Sequence, residues 1–173
     1  MTADEVKTLL GLAPHPREGG WFVRTYEAAE MVEALAFEDA RYNGPRRTGT
    51  AIYYLIEPDT YSAMHRLRSD EVFHFYAGDA VELLQLAPSS EGRSSVGHVV
   101  VLGTDLARGE RPQVVVLRGV WQGSRLLPGG RWALLGCTVS PGFEFDDYED
   151  GSRAELTELW PAWRDLIAAL TQA

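Results

Sequence analysis

The sequence predicts an all-β domain, a sandwich or closed jelly roll, with short helices at both ends. Between about residues 49 and 140, short runs rich in β-branched and aromatic residues recur at spacings of about ten residues, as in TAIYYLIE, EVFHFYAG and AVELLQLAP. Turn-forming segments such as PSSEG, TDLARGE and PGG separate them, with no long helical pattern between them. Many short strands without intervening helices favour two antiparallel sheets over a parallel α/β sheet.

Both ends of the chain carry helix signals. Thr2 and Glu5 have the spacing of a capping box, and the helical pattern that follows ends near Gly11. Ser152 and Glu155 repeat the capping-box spacing near the carboxyl end, before an apolar stripe of helical period. We expect this carboxy-terminal helical segment, of one or two helices, to pack on the outside of the barrel.

The remaining chain completes one domain. Residues 21–27, WFVRTYE, alternate and predict a first strand, whereas residues 28–48 mix charges, Gly and Pro and are interpreted as an excursion between strands. A chain of 173 residues is within the usual size of one domain. We therefore predict a single domain over residues 1–173, with the core barrel at about 49–140.

Charge and composition restrict the classes of partner that the protein is expected to bind. The 25 acidic residues outnumber the 16 Lys and Arg, and the net charge of -9 argues against nucleic acid or an anionic membrane as a partner. No apolar run is long enough to span a bilayer, and the amino terminus lacks the pattern of a signal peptide, so a cytoplasmic location is expected. Cys137 lies in the apolar run WALLGCTV and is expected to be a buried core thiol.

Histidine positions narrow the search for a site. Of the four histidines, only His65 and His74 fall among strands with a carboxylate nearby. His74 is out of phase with Glu71 in strand alternation, which favours a role in packing or at a dimer interface. His15 and His98 are expected at the surface.

Alternation on the two strands around the RSD turn brings a histidine and a glutamate together. Tyr61 and His65 fall on one face of the first strand, and Glu71, Phe73 and Phe75 fall on one face of the returning strand. If the Phe face is the interior, the imidazole of His65 and the carboxylate of Glu71 point into the same barrel mouth.

These segments resemble the cupin superfamily, and in particular the largely uncharacterised fifth cupin family. The spacing of His65, Leu67, Glu71 and Gly78 is similar to the first cupin motif, and the resemblance extends over nearly the whole chain through SAMHRLRSDEVFHFYAGD, HPREGGWFVRTY, GVWQGSRL and ALLGCTVSPGFEFDDYE. The resemblance implies a cupin double-stranded β-helix (jelly-roll barrel) with short flanking helices, often a homodimer, and a biochemical activity that is mostly unassigned. We expect the barrel mouth to bind a small-molecule ligand.

The departures from the cupin motifs concern the metal ligands. Metal-holding cupins use three histidines and one glutamate, but Leu67 stands at the second histidine position and Gln122 at the third. Two strong ligands, His65 and Glu71, with Gln122 as a weak neutral one, rarely hold a transition metal tightly. The cofactor is left open between none and a weakly held divalent transition metal on His65, Glu71 and Gln122.

The leading functional hypothesis is a metal-independent isomerase or epimerase that acts on a sugar derivative or a similar polar metabolite. His65 would be the base, oriented by Glu71, with Tyr53 among the candidate acids; metal-free jelly-roll epimerases use a similar set of residue types. The candidate ligand contacts are Arg24, Tyr61, Phe73, Phe75, Gln122 and Ser124. Two alternatives stay open: a non-catalytic ligand-binding module, and a metal-dependent oxygenase or lyase.

Overall fold

The computed structural model describes residues 1–37, 39–89 and 96–172. Three α-helices and thirteen strands occur in these ranges. The helices are α1 (Ala3–Leu10), α2 (Arg153–Leu159) and α3 (Arg164–Ala169). The strands are β1 (Ala13–Pro14), β2 (Trp21–Glu27), β3 (Met31–Val32), β4 (Arg46–Arg47), β5 (Thr50–Ile56), β6 (Ser62–Leu67), β7 (Asp70–Gly78), β8 (Val81–Ala87), β9 (Val96–Leu102), β10 (Gln113–Val116), β11 (Trp121–Leu126), β12 (Ala133–Ser140) and β13 (Tyr148–Asp150).

Two antiparallel sheets form the barrel. The larger sheet has the order β1-β2-β5-β12-β7-β10, and the smaller has the order β13-β6-β11-β8-β9. From β5 to β8, and again from β10 to β13, the chain alternates between the two sheets, which is the connectivity of a jelly roll. The predicted all-β class with short flanking helices is confirmed.

The barrel interior is a hydrocarbon core to which both sheets contribute. The larger sheet supplies Tyr54, Phe73 and Leu135, and the smaller supplies Leu83 and Leu126. These inward side chains alternate along their strands with outward ones, as the pleat of a strand requires. The face of β7 that carries Phe73 therefore points into the barrel. Glu71 lies on the same face and so points inward as well.

The helices cover the outer faces of the sheets. Helix α1 begins at a complete capping box of Thr2 and Glu5, ends at Gly11 with φ of 65°, and packs Val6 against the outside of the larger sheet. The carboxy-terminal helices place Leu156 and Ile167 on the outside of the smaller sheet. The prediction that this segment packs outside the barrel is confirmed. In the described ranges, no helix is long and apolar enough to cross a membrane.

The excursion between β2 and β5 is tied down by a buried ion pair. Strand β3 pairs with β4 in a separate two-stranded sheet. The guanidinium of Arg46 donates to both carboxylate oxygens of Asp147, at 2.6 and 2.8 Å, and both side chains are almost fully buried. Such a bidentate pair fixes the excursion against the segment that leads into β13.

Candidate functional site

A cavity opens at one end of the barrel, where β5 and β7 begin and β6 and β12 end. About 40 Å³ of it can hold the centre of a water molecule, which is room for roughly three waters. The whole space between atoms, including the open mouth, is about 460 Å³. Both values describe a small cavity, which suits a small ligand. Its lining comprises His15, Glu18, Phe22, Arg24, Thr50, Ile52, Leu67, Glu71, Cys137, Val139, Phe143 and Phe145.

Glu71 supplies one of the two carboxyl groups that line this cavity. It lies near the start of β7, is 7% exposed, and its Oε2 accepts a hydrogen bond of 2.6 Å from Nε2 of Gln122. Burial raises the pKa of Glu71 to about 7, opposed by the neighbouring His65 and by hydrogen bonds from Gln122 and Cys137, and supported by the charge of Glu18. The carboxyl is therefore able to take up or release a proton near neutral pH.

A β-bulge lets both Ser62 and His65 face the barrel interior. Residue Gln122 pairs with His65 and Ser124 pairs with Ser62, so β6 has one more residue than β11 between the two pairs. The extra residue turns both Ser62 and His65 inward. The ring is then held by a 2.7 Å hydrogen bond between its Nδ1 and the carbonyl oxygen of Ala63.

Glu18 enters the site from the loop before β2. Its backbone oxygen accepts a 2.8 Å hydrogen bond from the amide of Ala63, and its Oε2 accepts one of 3.1 Å from the Ser62 hydroxyl. Gly19 follows with φ of 88°, and a Cβ there would lie 2.6 Å from the carbonyl oxygen of Tyr61. This glycine lets the loop approach the barrel closely enough to deliver the carboxyl.

Glu18 lies between two imidazoles with opposite tautomers. Nδ1 of His15 accepts the backbone N–H of Glu18 at 2.9 Å, so the proton of the neutral ring is on Nε2, 3.7 Å from Oε1 of Glu18. His65 donates its Nδ1 proton to a carbonyl, so its neutral Nε2 carries a lone pair, 3.9 Å from the same Oε1. One carboxyl oxygen thus faces a donor and an acceptor.

Burial sets the protonation of this group. It raises the pKa of Glu18 and lowers the pKa of His15 and His65. Burial also raises the pKa of Cys137 well above its ordinary range, which keeps this cavity-lining residue a thiol, as expected of a buried core cysteine. The cavity therefore holds two carboxyls of raised proton affinity beside two neutral imidazoles.

The structure brings part of the predicted site together at the cavity. Glu71 and Arg24 line it, whereas Gln122, which bonds Glu71, and Ser124, which is fully buried and points inward with Leu126, are not among its lining residues. His65 is buried behind Glu18 and does not itself line the cavity, so the direct contact with a ligand shifts from the imidazole to the carboxyls.

The prediction that Tyr53 lies in the site as an acid is wrong. It lies on the outer face of the larger sheet, where it packs in the cluster below α1 and edge-on to Tyr76 at 5.8 Å. The adjacent Tyr54 points inward instead, and its hydroxyl donates to the carbonyl of Gly19 at 2.8 Å. Two neighbouring residues of a strand face opposite sides, and the pattern TAIYYLIE did not distinguish which tyrosine is inside.

Three other predicted ligand contacts are also displaced from the cavity. Tyr61 packs with the helices outside the smaller sheet, because it precedes β6 and the bulge breaks the alternation that related it to His65. Phe73 is inside the barrel but within the hydrocarbon core, and Phe75 packs against that core. The part of the chain described here places none of the three in the lining.

Two residues that line the cavity were not predicted from the sequence as site residues. His15 was expected at the surface, but its side chain is 4% exposed, and Glu18 was not singled out. The available signal was the string HPREGG, in which ionisable residues directly precede two glycines and a strand. His98 is exposed, as expected, and His74 lies on the outer face of the larger sheet, bonded to Thr138 at 3.1 Å.

The residues present do not fit the metal set of three histidines and one glutamate. Leu67 packs in an apolar cluster with Val139 and Tyr148, and Gln122 turns its amide nitrogen, which cannot ligate, toward Glu71. Among the residues that the structure describes, no group of three or more His, Cys, Asp or Glu side chains is arranged to hold a metal ion.

Two solved structures of related proteins share the whole fold, and a third protein is related in sequence. A hypothetical protein from Leishmania major is 32% identical, with a TM-score of 0.88 and coverage of 100% of both chains. Protein SO0799 from Shewanella oneidensis is 33% identical, with a TM-score of 0.82 over 99% of this chain and 98% of that one. The uncharacterized protein YML079W of Saccharomyces cerevisiae is 28% identical over 143 residues, which are 76% of this chain and 67% of the yeast protein.

More distant similarity is limited to the fold. A dTDP sugar isomerase from Desulfovibrio desulfuricans G20 has a TM-score of 0.53 over 76% of this chain and 83% of that one, at 14% identity.

The family model described as cupin superfamily (DUF985) matches residues 4–150, which is most of the chain. With the jelly-roll barrel and its inward-facing His65 and Glu71, this match shows that the chain belongs to the DUF985 family of the cupin superfamily.

Proposed function

We propose that this protein is a metal-independent isomerase or epimerase that moves a proton on a small polar carbonyl compound, such as a sugar derivative. The observation that carries the proposal is the convergence of Glu71, Glu18 and His15 on one small cavity, with His65 directly behind Glu18. These side chains can donate and accept protons in a reaction that needs neither a metal nor a redox cofactor.

The two carboxyls suit the two roles that such a reaction needs. Like charges buried close together cannot both ionise easily, and the charge of Glu18 contributes to the raised pKa of Glu71. Near neutral pH the pair therefore holds one proton in preference to none. The ionised carboxylate can abstract a proton from the carbon next to a carbonyl, while the protonated carboxyl donates to the carbonyl oxygen as the enediol forms.

The imidazoles complete the proton path. After the first transfer, the bare Nε2 of His65 can accept a proton from Glu18, and the Nε2 proton of His15 can hydrogen-bond the carboxylate that results. Delivery of a proton to the opposite face of the same carbon gives epimerisation, and the carboxylate that protonated the carbonyl oxygen takes that O–H proton back. Delivery to the neighbouring carbon gives isomerisation, and the same carboxylate then takes the proton of the other enediol hydroxyl. No electron leaves or enters the substrate in either case.

Solvent deuterium exchange tests this function without a known substrate. A panel of pentoses, hexoses, their phosphates and short hydroxy-carbonyl acids is incubated with the protein in D₂O and followed by NMR. We expect deuterium to enter at the carbon beside the carbonyl of at least one class, and the rate to fall at least about a hundredfold in Glu71→Gln and His65→Asn.

The variants are chosen to separate chemistry from folding. Asn at position 65 retains a donor toward the Ala63 carbonyl but lacks Nε2, and His98→Asn, on the exposed face of β9, is the matched control. Exchange with none of the panel, binding without exchange, or exchange that survives both variants in folded protein would each refute the proposal.

A further inference from the structure

We propose that Arg24 binds an anionic group of the substrate at the cavity mouth, so that the substrate is a small hydroxy-carbonyl compound bearing a carboxylate or a phosphate. This inference rests on the proposed function and names its substrate class. It is carried by the position of Arg24 and by the balance of charges around it.

Arg24 reaches both the cavity and the solvent. Phe22, two residues earlier on β2, packs against the barrel interior, so alternation points Arg24 to the same side. Arg24 is one of the residues that line the cavity, yet its side chain is 36% exposed. A group at this position can contact a bound ligand without being buried with it.

Two arginine side chains, one of which lines the cavity, pair with the same glutamate. Arg24 contacts Oε2 of Glu27 at 2.7 Å, and Arg47 contacts Oε1 of the same carboxylate at 2.6 Å. Two cations therefore share one anion. Within the described residues, the bond to Glu27 is the single hydrogen bond of the Arg24 side chain, so most of its five N–H donors are available to a planar or tetrahedral oxyanion.

The interior fixes the orientation of such a ligand. An anionic group beside Glu18 and Glu71 would meet carboxyls that already disfavour a second charge, whereas carbonyl and hydroxyl groups there would meet donors and acceptors. The aromatic walls formed by Phe143 and Phe145 flank the same opening. The oxyanion is accordingly placed at the mouth and the reacting carbon inside.

Binding of three matched probes tests the anion site. D-ribose, D-ribonate and D-ribose 5-phosphate are titrated by calorimetry into the wild-type protein and into Arg24→Gln. We expect one of the two anionic probes to bind at least about tenfold tighter than D-ribose, a preference that 0.5 M NaCl weakens and that Arg24→Gln removes. Which anion is preferred distinguishes a sugar acid from a sugar phosphate.

Two further variants sharpen the result. Arg66→Gln is the matched control, because Arg66 is 35% exposed and also paired with a glutamate, Glu149, but does not line the cavity. Glu27→Gln removes the carboxylate that competes for Arg24 and is expected to increase the anion preference at least about threefold.

The outcomes separate this inference from the proposed function. Equal affinity for neutral and anionic probes, no binding of either anion, or an unchanged preference in folded Arg24→Gln would overturn the anion site. Anion preference without deuterium exchange would overturn the isomerase function alone. Exchange of neutral sugars alone, unaffected by Arg24→Gln, would keep the function and reject the anion site.

Discussion

The side-chain nitrogen of Gln122 donates to Oε2 of Glu71 at 2.6 Å inside the barrel. The amide oxygen of Gln122 is buried and has no partner among the described residues. The pair is thus a donor facing an acceptor, an arrangement that satisfies the carboxyl without an ion between them. The hydrogen bond from Gln122 explains how this cupin cavity can retain a buried glutamate although it lacks two of the histidines that would hold a metal.

Restoring those two histidines should create a metal site. The double variant Leu67→His and Gln122→His adds two imidazoles on the inward face beside His65 and Glu71. We expect it to bind Ni²⁺ or Zn²⁺ at least about tenfold tighter than the wild type and to retain near-stoichiometric metal after dialysis, measured by elemental analysis. Gln122→His alone is the control. Equally tight binding by the wild-type protein would contradict the assignment of Gln122 as a hydrogen-bond donor to Glu71.

The raised pKa of Glu71 predicts a dependence of stability on pH. The folded pKa of about 7 exceeds the ordinary value of 4.5, so between these values the native state binds more protons than the unfolded chain. The contribution of Glu71 therefore falls as pH rises through this window, by up to about 3 kcal/mol. Burial lowers the pKa of His15 and His65, which contribute with the opposite sign, so the variant must be compared with the wild type.

Glu71→Gln isolates this contribution. We expect the free energy of unfolding of the variant minus that of the wild type to be larger at pH 8 than at pH 5 by about 1 to 3 kcal/mol, so that the variant is relatively more stable at pH 8; urea unfolding at both pH values measures this. Glu149→Gln, on the surface, is the control. A difference that is the same at both pH values would show that Glu71 is ionised in the folded state throughout.

The fold and part of the site were predictable because both follow from local alternation. The phase of EVFHFYAG places Glu71 and Phe73 on one face whatever the rest of the chain does, and the two strands meet across a short turn. A bulge is not visible in such a pattern, which is why Tyr61 was misplaced. Glu18 depends on a loop fixed by contacts with distant strands, and those contacts are a property of the assembled barrel.

The buried ion pair of Arg46 and Asp147 should be a large contributor to cooperative folding. Asp147→Ala leaves the guanidinium of Arg46 buried and without its bidentate partner. We expect a loss of about 3 to 5 kcal/mol in the free energy of unfolding. The surface pair of Arg66 and Glu149 is also bidentate, and Glu149→Ala should cost less than about 1 kcal/mol. Similar costs for the two variants, measured by chemical unfolding, would refute the distinction.

Gly19 should be required because of the close approach of its loop to the barrel. Gly19 and Gly109 have nearly the same φ, 88° and 87°, but a Cβ at Gly19 would lie 2.6 Å from the Tyr61 carbonyl, whereas nothing lies within 4 Å of one at Gly109. An alanine costs about 1 to 2 kcal/mol at either position for its backbone conformation. We expect Gly19→Ala to cost about 1 to 3 kcal/mol more, because backbone atoms must move apart.

The displaced loop carries Glu18, so the two alanine variants should also differ in function. We expect Gly19→Ala to lose at least about tenfold in deuterium exchange at temperatures where it remains folded, and Gly109→Ala to match the wild type. Unfolding and exchange measured on the same samples separate lost stability from a misplaced carboxyl. If Gly19→Ala, once folded, exchanged deuterium at the wild-type rate, the position of Glu18 would not matter for the reaction, and Glu71 would have to act without it.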